Sequence, residues 1–152
     1  MPGNVLVAYG SKRGSTRAVA DAVAATLRAQ GWVVDVEPAG TVKQVSRYDG
    51  VVLGGALYGG RWHRGARRLL KRQRRGLATK PVAVFAVGPR KNEQAAFERS
   101  RLQLERELGK APEVEPAATA VFGGADRERG IDLRDWDAIR AWADKVGAAL
   151  DD

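Results

Sequence analysis

Five strand-length runs that are apolar at almost every position constrain this chain more than any other feature. They are residues 4–9 (NVLVAY), 32–36 (WVVDV), 50–56 (GVVLGGA), 81–87 (PVAVFAV) and 117–123 (AATAVFG). A strand with one wet face alternates apolar and polar residues, whereas a continuous apolar run requires cover on both faces. Between the runs the period changes to that of a helix. Val19, Val23 and Leu27 predict a helix over about residues 15–30 that stops at Gly31, and Phe97, Leu104 and Leu108 share a face over 93–108. Trp136, Ile139, Ala143, Val146 and Leu150 mark the last helix, with Asp132 as its expected N-cap and Asp135 favouring its dipole. Strands alternating with helices imply a parallel α/β sheet, doubly wound through right-handed crossovers, with ligands taken beyond the C-terminal ends of the strands.

Composition narrows the chemistry. At 152 residues the chain is expected to form one domain over 1–152, since a single core of that size buries about two-thirds of the unfolded surface. It has no cysteine and one histidine, which excludes disulfide frameworks, thiolate zinc sites, cysteine-ligated clusters and cysteine nucleophiles. Redox chemistry would have to come from an organic cofactor. The longest dense apolar run, 82–87, is far short of the roughly 20 residues that span a bilayer, and Met1-Pro2-Gly3-Asn4 leads straight into a strand-like run. A cytoplasmic protein without a transmembrane segment is expected.

The first run ends in Gly10 and passes through Ser11, Lys12, Arg13, Gly14, Ser15 and Thr16 into a helix. Hydroxyls, glycines and free helix N-terminal amides meet there, which is the donor set that cradles a phosphate. An ordinary glycine turn with an N-cap is the plainer reading of the same residues. The spacing is not that of a nucleotide-hydrolysing P-loop, because Gly10 and Gly14 are one residue too close and Ser15 stands where lysine is required. The Gly-x-Gly-x-x-Gly dinucleotide pattern is also absent.

Ser11-Lys12-Arg13-Gly14-Ser15-Thr16 resembles the Ser/Thr-x-x-Gly-x-Thr phosphate turn of flavodoxin-like FMN proteins, and the likeness covers nearly the whole chain. It extends to the menaquinone-dependent protoporphyrinogen oxidase branch through Gly55-Ala56-Leu57-Tyr58-Gly59, through Phe85-Ala86-Val87 with Arg90-Lys91, and through Val121-Phe122-Gly123-Gly124-Ala125 leading to Asp135-Trp136. The resemblance implies a five-stranded parallel sheet in the order 2-1-3-4-5 with helices on both faces. It also implies FMN as cofactor, its phosphate on Ser11, Lys12, Arg13, Gly14, Ser15 and Thr16. The isoalloxazine would be held by Ala56, Leu57, Tyr58, Gly59, Gly60 and Trp62 on one side and by Val87, Gly88, Pro89 and Arg90 on the other. A flavin needs a flat apolar slot, aromatic contacts and backbone hydrogen bonds, which Tyr58 to Trp62 offers; packing of these two aromatics against the sheet edge is the alternative. Two departures are visible. The loop after the fourth run lacks the stacking aromatic and the acids of carrier flavodoxins. The apolar and basic insertion that oxidase-branch members carry after the fifth strand is replaced by a short polar turn, Asp126-Arg127-Glu128-Arg129-Gly130.

The formal charge of +8 has one source. The segment Arg61 to Arg75 (RWHRGARRLLKRQRR) holds eight Lys/Arg and no acid, while the remaining 18 Lys/Arg are matched by 18 Asp/Glu. It is expected to be a helix beginning beside the flavin loop, and reads either as a solvated face or as a docking surface for an acidic redox partner, an anionic substrate or, by peripheral contact, a lipid headgroup. Nucleic acid is not expected, since Trp62 alone interleaves with the charges. His63 is read as a surface residue, with proton donation to reduced flavin as its functional alternative. The functional reading is an FMN-binding redox protein, an electron carrier or a small FMN-dependent oxidoreductase in which no side chain need be catalytic. The alternatives are a menaquinone-dependent protoporphyrinogen oxidase-type enzyme and a non-enzymatic anion-binding module using the arginine-rich helix.

Overall fold

Val5, Val7 and Tyr9 point to one side of the first strand and Leu6 and Ala8 to the other, and both sets are buried. A strand so covered must lie inside a sandwich of helices. The computed structural model describes residues 3–12 and 14–151, and has this architecture. Strands β1 (Asn4–Gly10), β2 (Val33–Pro38), β3 (Gly50–Tyr58), β5 (Val82–Val87) and β6 (Ala118–Phe122) form a parallel sheet in the order β2-β1-β3-β5-β6. A two-residue strand, β4 (Arg61–Trp62), folds back antiparallel on the end of β3. Counting the five long strands in chain order, this is the expected 2-1-3-4-5 arrangement.

Helices α1 (Ser15–Ala29) and α5 (Trp136–Leu150) cover one face, where Val19, Val23, Leu27, Ile139 and Val146 pack on Val52 and Phe85. The rings of Phe85, Phe122 and Trp142 meet there at centroid distances of 5.6–6.0 Å. The opposite face is covered by α2 (Arg64–Arg72), the single turn α3 (Arg74–Leu77) and α4 (Gln94–Leu108), whose Leu69, Leu70, Leu77 and Leu104 pack on Leu6, Leu53 and Val84. No helix among the described residues is long and apolar enough to cross a membrane.

Gly31 adopts φ 99° just after α1, as its place at a helix end requires. The basic segment is not one helix. Gly59 and Gly60, at φ 55° and 80°, make the two-residue turn that returns the chain as β4, positive φ at both central residues being the type I′ geometry that matches the twist of a tight hairpin. The helix therefore starts at Arg64 and is interrupted at Gln73. Asp132 does not cap the last helix either. It belongs to a hairpin of β7 (Ala125–Asp126) and β8 (Ile131–Asp132), which stands where a polar turn was expected, and Asp135 is the N-cap, its carboxylate accepting the Ala138 N–H at 3.0 Å. The cap has to sit one residue before the first helical position for its oxygen to reach the third amide.

Candidate functional site

The chain runs from β1 to β2 on one side and then to β3 on the other, so the C-terminal ends of β1 and β3 border the switch point of the sheet. The loop leaving β1 opens α1 there. Ser11 Oγ accepts the Gly14 N–H at 3.0 Å and closes the loop into a turn, and Gly14 at φ 83° directs the chain into the helix. Among the described residues no side chain caps α1 and its first turn carries no acid, so the amide donors and positive dipole end of the helix face the loop. Thr16 is fully buried in that turn, and its hydroxyl has no hydrogen-bond partner among the described residues. Leaving such a group unpaired costs about 1–3 kcal/mol, and the acceptor that would satisfy it and the amides together is an anion with several oxygens. The residues fit the phosphate of FMN. Arg13 lies outside the described residues.

Beyond the loop, Ser15, Ala56, Leu57, Tyr58, Val87, Gly88, Arg90, Gly124 and Ala125 line a narrow recess of about 20 Å³, and Ser15 and Ala125 also border an open cavity of about 720 Å³ between α1 and the β7–β8 hairpin. The ends of β3, β5 and β6 thus meet the phosphate loop in a single cleft. Its floor is backbone and small apolar side chains, tied together by the Gly88 N–H on Phe122 O at 3.1 Å and the Gly124 N–H on Pro89 O at 2.8 Å. Tyr58 stands at the mouth with Lys12 Nζ 5.5 Å from its ring centroid, a cation–π contact that bridges the phosphate loop and the slot.

Of the residues expected at the slot, Ala56, Leu57, Tyr58, Val87, Gly88 and Arg90 are brought together. Gly59 and Gly60 form the adjoining turn, and Pro89 is buried behind the recess. Trp62 is a correction: it is 1% exposed, packed in the core under β3, and its indole N–H is committed to Gly55 O at 3.0 Å. Antiparallel pairing of Trp62 with Leu57 turns its side chain inward, so its ring offers no aromatic face to a ligand. His63 is also not a surface residue. It is half-buried, its Nδ1 accepts the Gly65 N–H at 3.0 Å as the N-cap of α2, and the second ring nitrogen therefore carries the proton. Burial first, then Lys12 and Arg67, hold its pKa below the usual value.

The hairpin after β6 was not anticipated as part of the site. Asp126, 6% exposed, anchors it through the Arg129 N–H at 3.3 Å and faces Arg90 at 3.7 Å and Arg129 at 3.8 Å. Arg90 is thus both a wall of the recess and an ion-pair partner of the hairpin. Asp132 receives two side-chain hydrogen bonds and one backbone hydrogen bond from Arg134, which hold its carboxyl at about 2. The signal available in the sequence was the pair Gly123-Gly124, which lets β6 end against the neighbouring loop.

A family model described as Flavodoxin domain matches residues 6–145. No curated protein matches the chain. Among solved structures, oxidised Flavodoxin 2 from Bacillus cereus is similar at 25% identity, with 95% of this chain and 97% of that chain covered and a TM-score of 0.68. A flavodoxin from Streptococcus pneumoniae matches at 21% identity over 97% of both chains, with a TM-score of 0.63. Rubredoxin oxygen:oxidoreductase from the anaerobe Desulfovibrio gigas matches at 17% identity and a TM-score of 0.71, covering 97% of this chain and 36% of that one.

Proposed function

The chain belongs to the flavodoxin domain family, and from that premise we propose that it is a cytoplasmic FMN-binding redox protein, an electron carrier or a small oxidoreductase. The observation that carries the proposal is the buried hydroxyl of Thr16, without a hydrogen-bond partner among the described residues, at a helix N-terminus that none of their side chains caps. When bound, FMN supplies reversible electron and hydride chemistry, and the protein supplies position, electrostatics and access.

Each part of the cleft then has a task. Ser11, Ser15 and Thr16 would donate hydrogen bonds to the phosphate, Gly14, whose N–H is held by Ser11 Oγ, would let the backbone approach it, and Lys12 would add positive charge at its rim. Ala56, Leu57 and Val87 provide an apolar wall that excludes water, while Tyr58 supplies the aromatic contact. Arg90, steadied by Asp126, favours negative charge in the recess. No side chain is assigned a nucleophilic or acid–base role. The test is direct: purified protein titrated with FMN should quench its fluorescence with saturation at one equivalent and retain a yellow spectrum after desalting. A protein that stays colourless and takes up no FMN refutes the reading and leaves the anion-binding module.

Menaquinone-dependent protoporphyrinogen oxidation is the second reading, supported by the segments at residues 55–59, 85–91 and 121–125 and by Asp135-Trp136. Against it, the chain from Ala125 to Asp132 is a small hairpin tipped by Arg127, Glu128 and Arg129, with no apolar segment to reach a membrane quinone. FMN-loaded protein assayed with protoporphyrinogen and a menaquinone analogue is expected to show no turnover. Rates on the order of 1 per second would establish the oxidase instead.

A further inference from the structure

The eight cations of residues 61–75 divide into two sets. Arg67, Arg72 and Arg74 are used inside the molecule. Arg67 Nε donates to Trp62 O at 2.9 Å and lies 4.0 Å from the buried Glu107, Arg72 Nη2 donates to Val42 O at 2.6 Å, and Arg74 Nε meets Glu113 at 3.0 Å. Arg61, Arg64, Arg68, Lys71 and Arg75 are exposed, with no hydrogen bond or ion pair to any described residue.

Helical geometry explains the division. Ala66, Leu69 and Leu70 face the core, which places Arg64, Arg68 and Lys71 on the opposite line of the helix, while Arg67 and Arg72 fall on its flanks and reach neighbouring backbone. The outward line works against the helix that carries it. Arg64 opens the first turn, at the positive end of the dipole, and Arg64 to Arg68, Arg67 to Lys71 and Arg68 to Arg72 are like-charge pairs four residues apart within α2. No acid lies in the segment to offset them. An arrangement that opposes local stability and serves no internal contact is where a function outside the fold is to be sought.

The stripe starts at the cleft. Arg61 pairs with Tyr58 across the Gly59-Gly60 turn, so the free cations begin on β4 at the edge of the proposed flavin slot and continue through α2 to Arg75 on α3. Resting on the FMN reading above, we propose that Arg61, Arg64, Arg68, Lys71 and Arg75 form the docking surface for an acidic redox protein that exchanges electrons at this cleft. Two other anionic partners fit the surface less well. A membrane would need apolar side chains beside the charges, yet Leu69, Leu70 and Trp62 are all turned into the core. A single-stranded nucleic acid would need an exposed aromatic platform, and the one aromatic within the segment is buried. What remains is charge alone, which suits steering of a folded acidic surface.

The test compares two variants that lose the same charge. One carries Arg64→Gln, Arg68→Gln and Lys71→Gln; the other carries Arg99→Gln, Arg106→Gln and Lys145→Gln, three exposed cations outside the segment. Association with an immobilised acidic 2Fe–2S ferredoxin is followed by biolayer interferometry at low and high salt. Basic cytochrome c, anionic phosphatidylglycerol vesicles and single-stranded DNA serve as competing probes. The stripe variant should associate about tenfold more slowly at low salt and lose most of its salt dependence, and the control should change about twofold or less. Its melting temperature should be unchanged or higher, because repulsion within α2 is relieved. Equal losses in the two variants overturn the proposal, as does salt-independent association of the unmodified protein or preferential binding to vesicles or DNA. FMN content, read by absorbance on the same samples, keeps the two readings apart. Stripe-dependent docking by a protein that takes no FMN sustains the surface and refutes the cofactor, and FMN uptake with no docking does the reverse.

Discussion

Thr16 and Arg68 are both polar groups without a partner among the described residues, but one is sealed in the fold and the other stands in water. The buried hydroxyl finds no partner among the described residues, so the deficit is made good by a ligand or an ordered water held against it. The exposed guanidinium keeps its hydration, and its cost is limited to repulsion along α2. The first kind of incompleteness therefore predicts affinity, and the second predicts encounter rate. The same distinction operates within residues 61–75, where Trp62 is core and Arg61 beside it is free surface.

The largest effect expected from breaking this contrast comes from Trp62. Trp62→Ala should destabilise the protein to urea by about 3–5 kcal/mol, as loss of a fully buried ring does. Trp62→Phe, which keeps a six-membered ring but removes the pyrrole ring and the hydrogen bond to Gly55 O, should cost less than the alanine change, about 1–3 kcal/mol. If Trp62→Ala were as stable as the parent and lost FMN instead, the residue would belong to the slot after all. Next is the phosphate turn. Thr16→Val removes a hydrogen bond to a charged group, worth about 1.5–3 kcal/mol, so FMN should bind about 10–100-fold more weakly with far-UV circular dichroism unchanged. Gly14→Val should do at least as much, because a β-branched residue resists the positive φ of that turn. Neutralising Arg64, Arg68 and Lys71, by contrast, should leave FMN affinity within about twofold while slowing partner association.

The smallest effect is a pH dependence. A histidine whose pKa is depressed by folding binds its proton less readily in the native than in the unfolded chain. Its stabilising contribution is then complete above the unfolded value of about 6.5 and is lost as pH falls through the folded value. The melting temperature of the cofactor-free protein should accordingly decline on acidification below about pH 6.5. His63→Asn retains an acceptor for the Gly65 N–H and removes the titration, so it should flatten that slope. An unaltered slope would place its origin elsewhere, since the chain has no other histidine.

Composition and periodicity alone determined the five apolar strands, the helices between them and the donor-rich turn after β1. Each of these is written in a few consecutive residues: a continuous apolar run, a repeat of three and four, a serine and a glycine three apart before a threonine. The tertiary structure decided which side chains those segments present. Tyr58 and Trp62 look alike in the sequence as aromatics flanking two glycines, and only the antiparallel return of β4 puts one at the cleft and the other in the core. Asp132 and Asp135 are both credible caps until the β7–β8 hairpin uses the first and leaves the second at the helix start. The eight cations of the basic segment are equivalent in the sequence, whereas three become internal braces once Val42, Glu107 and Glu113 arrive beside them from distant parts of the chain. Local patterns encode what a residue can do with its near neighbours. Burial and charge pairing depend on residues far along the chain, and those were supplied only when the sheet closed and the helices packed against it.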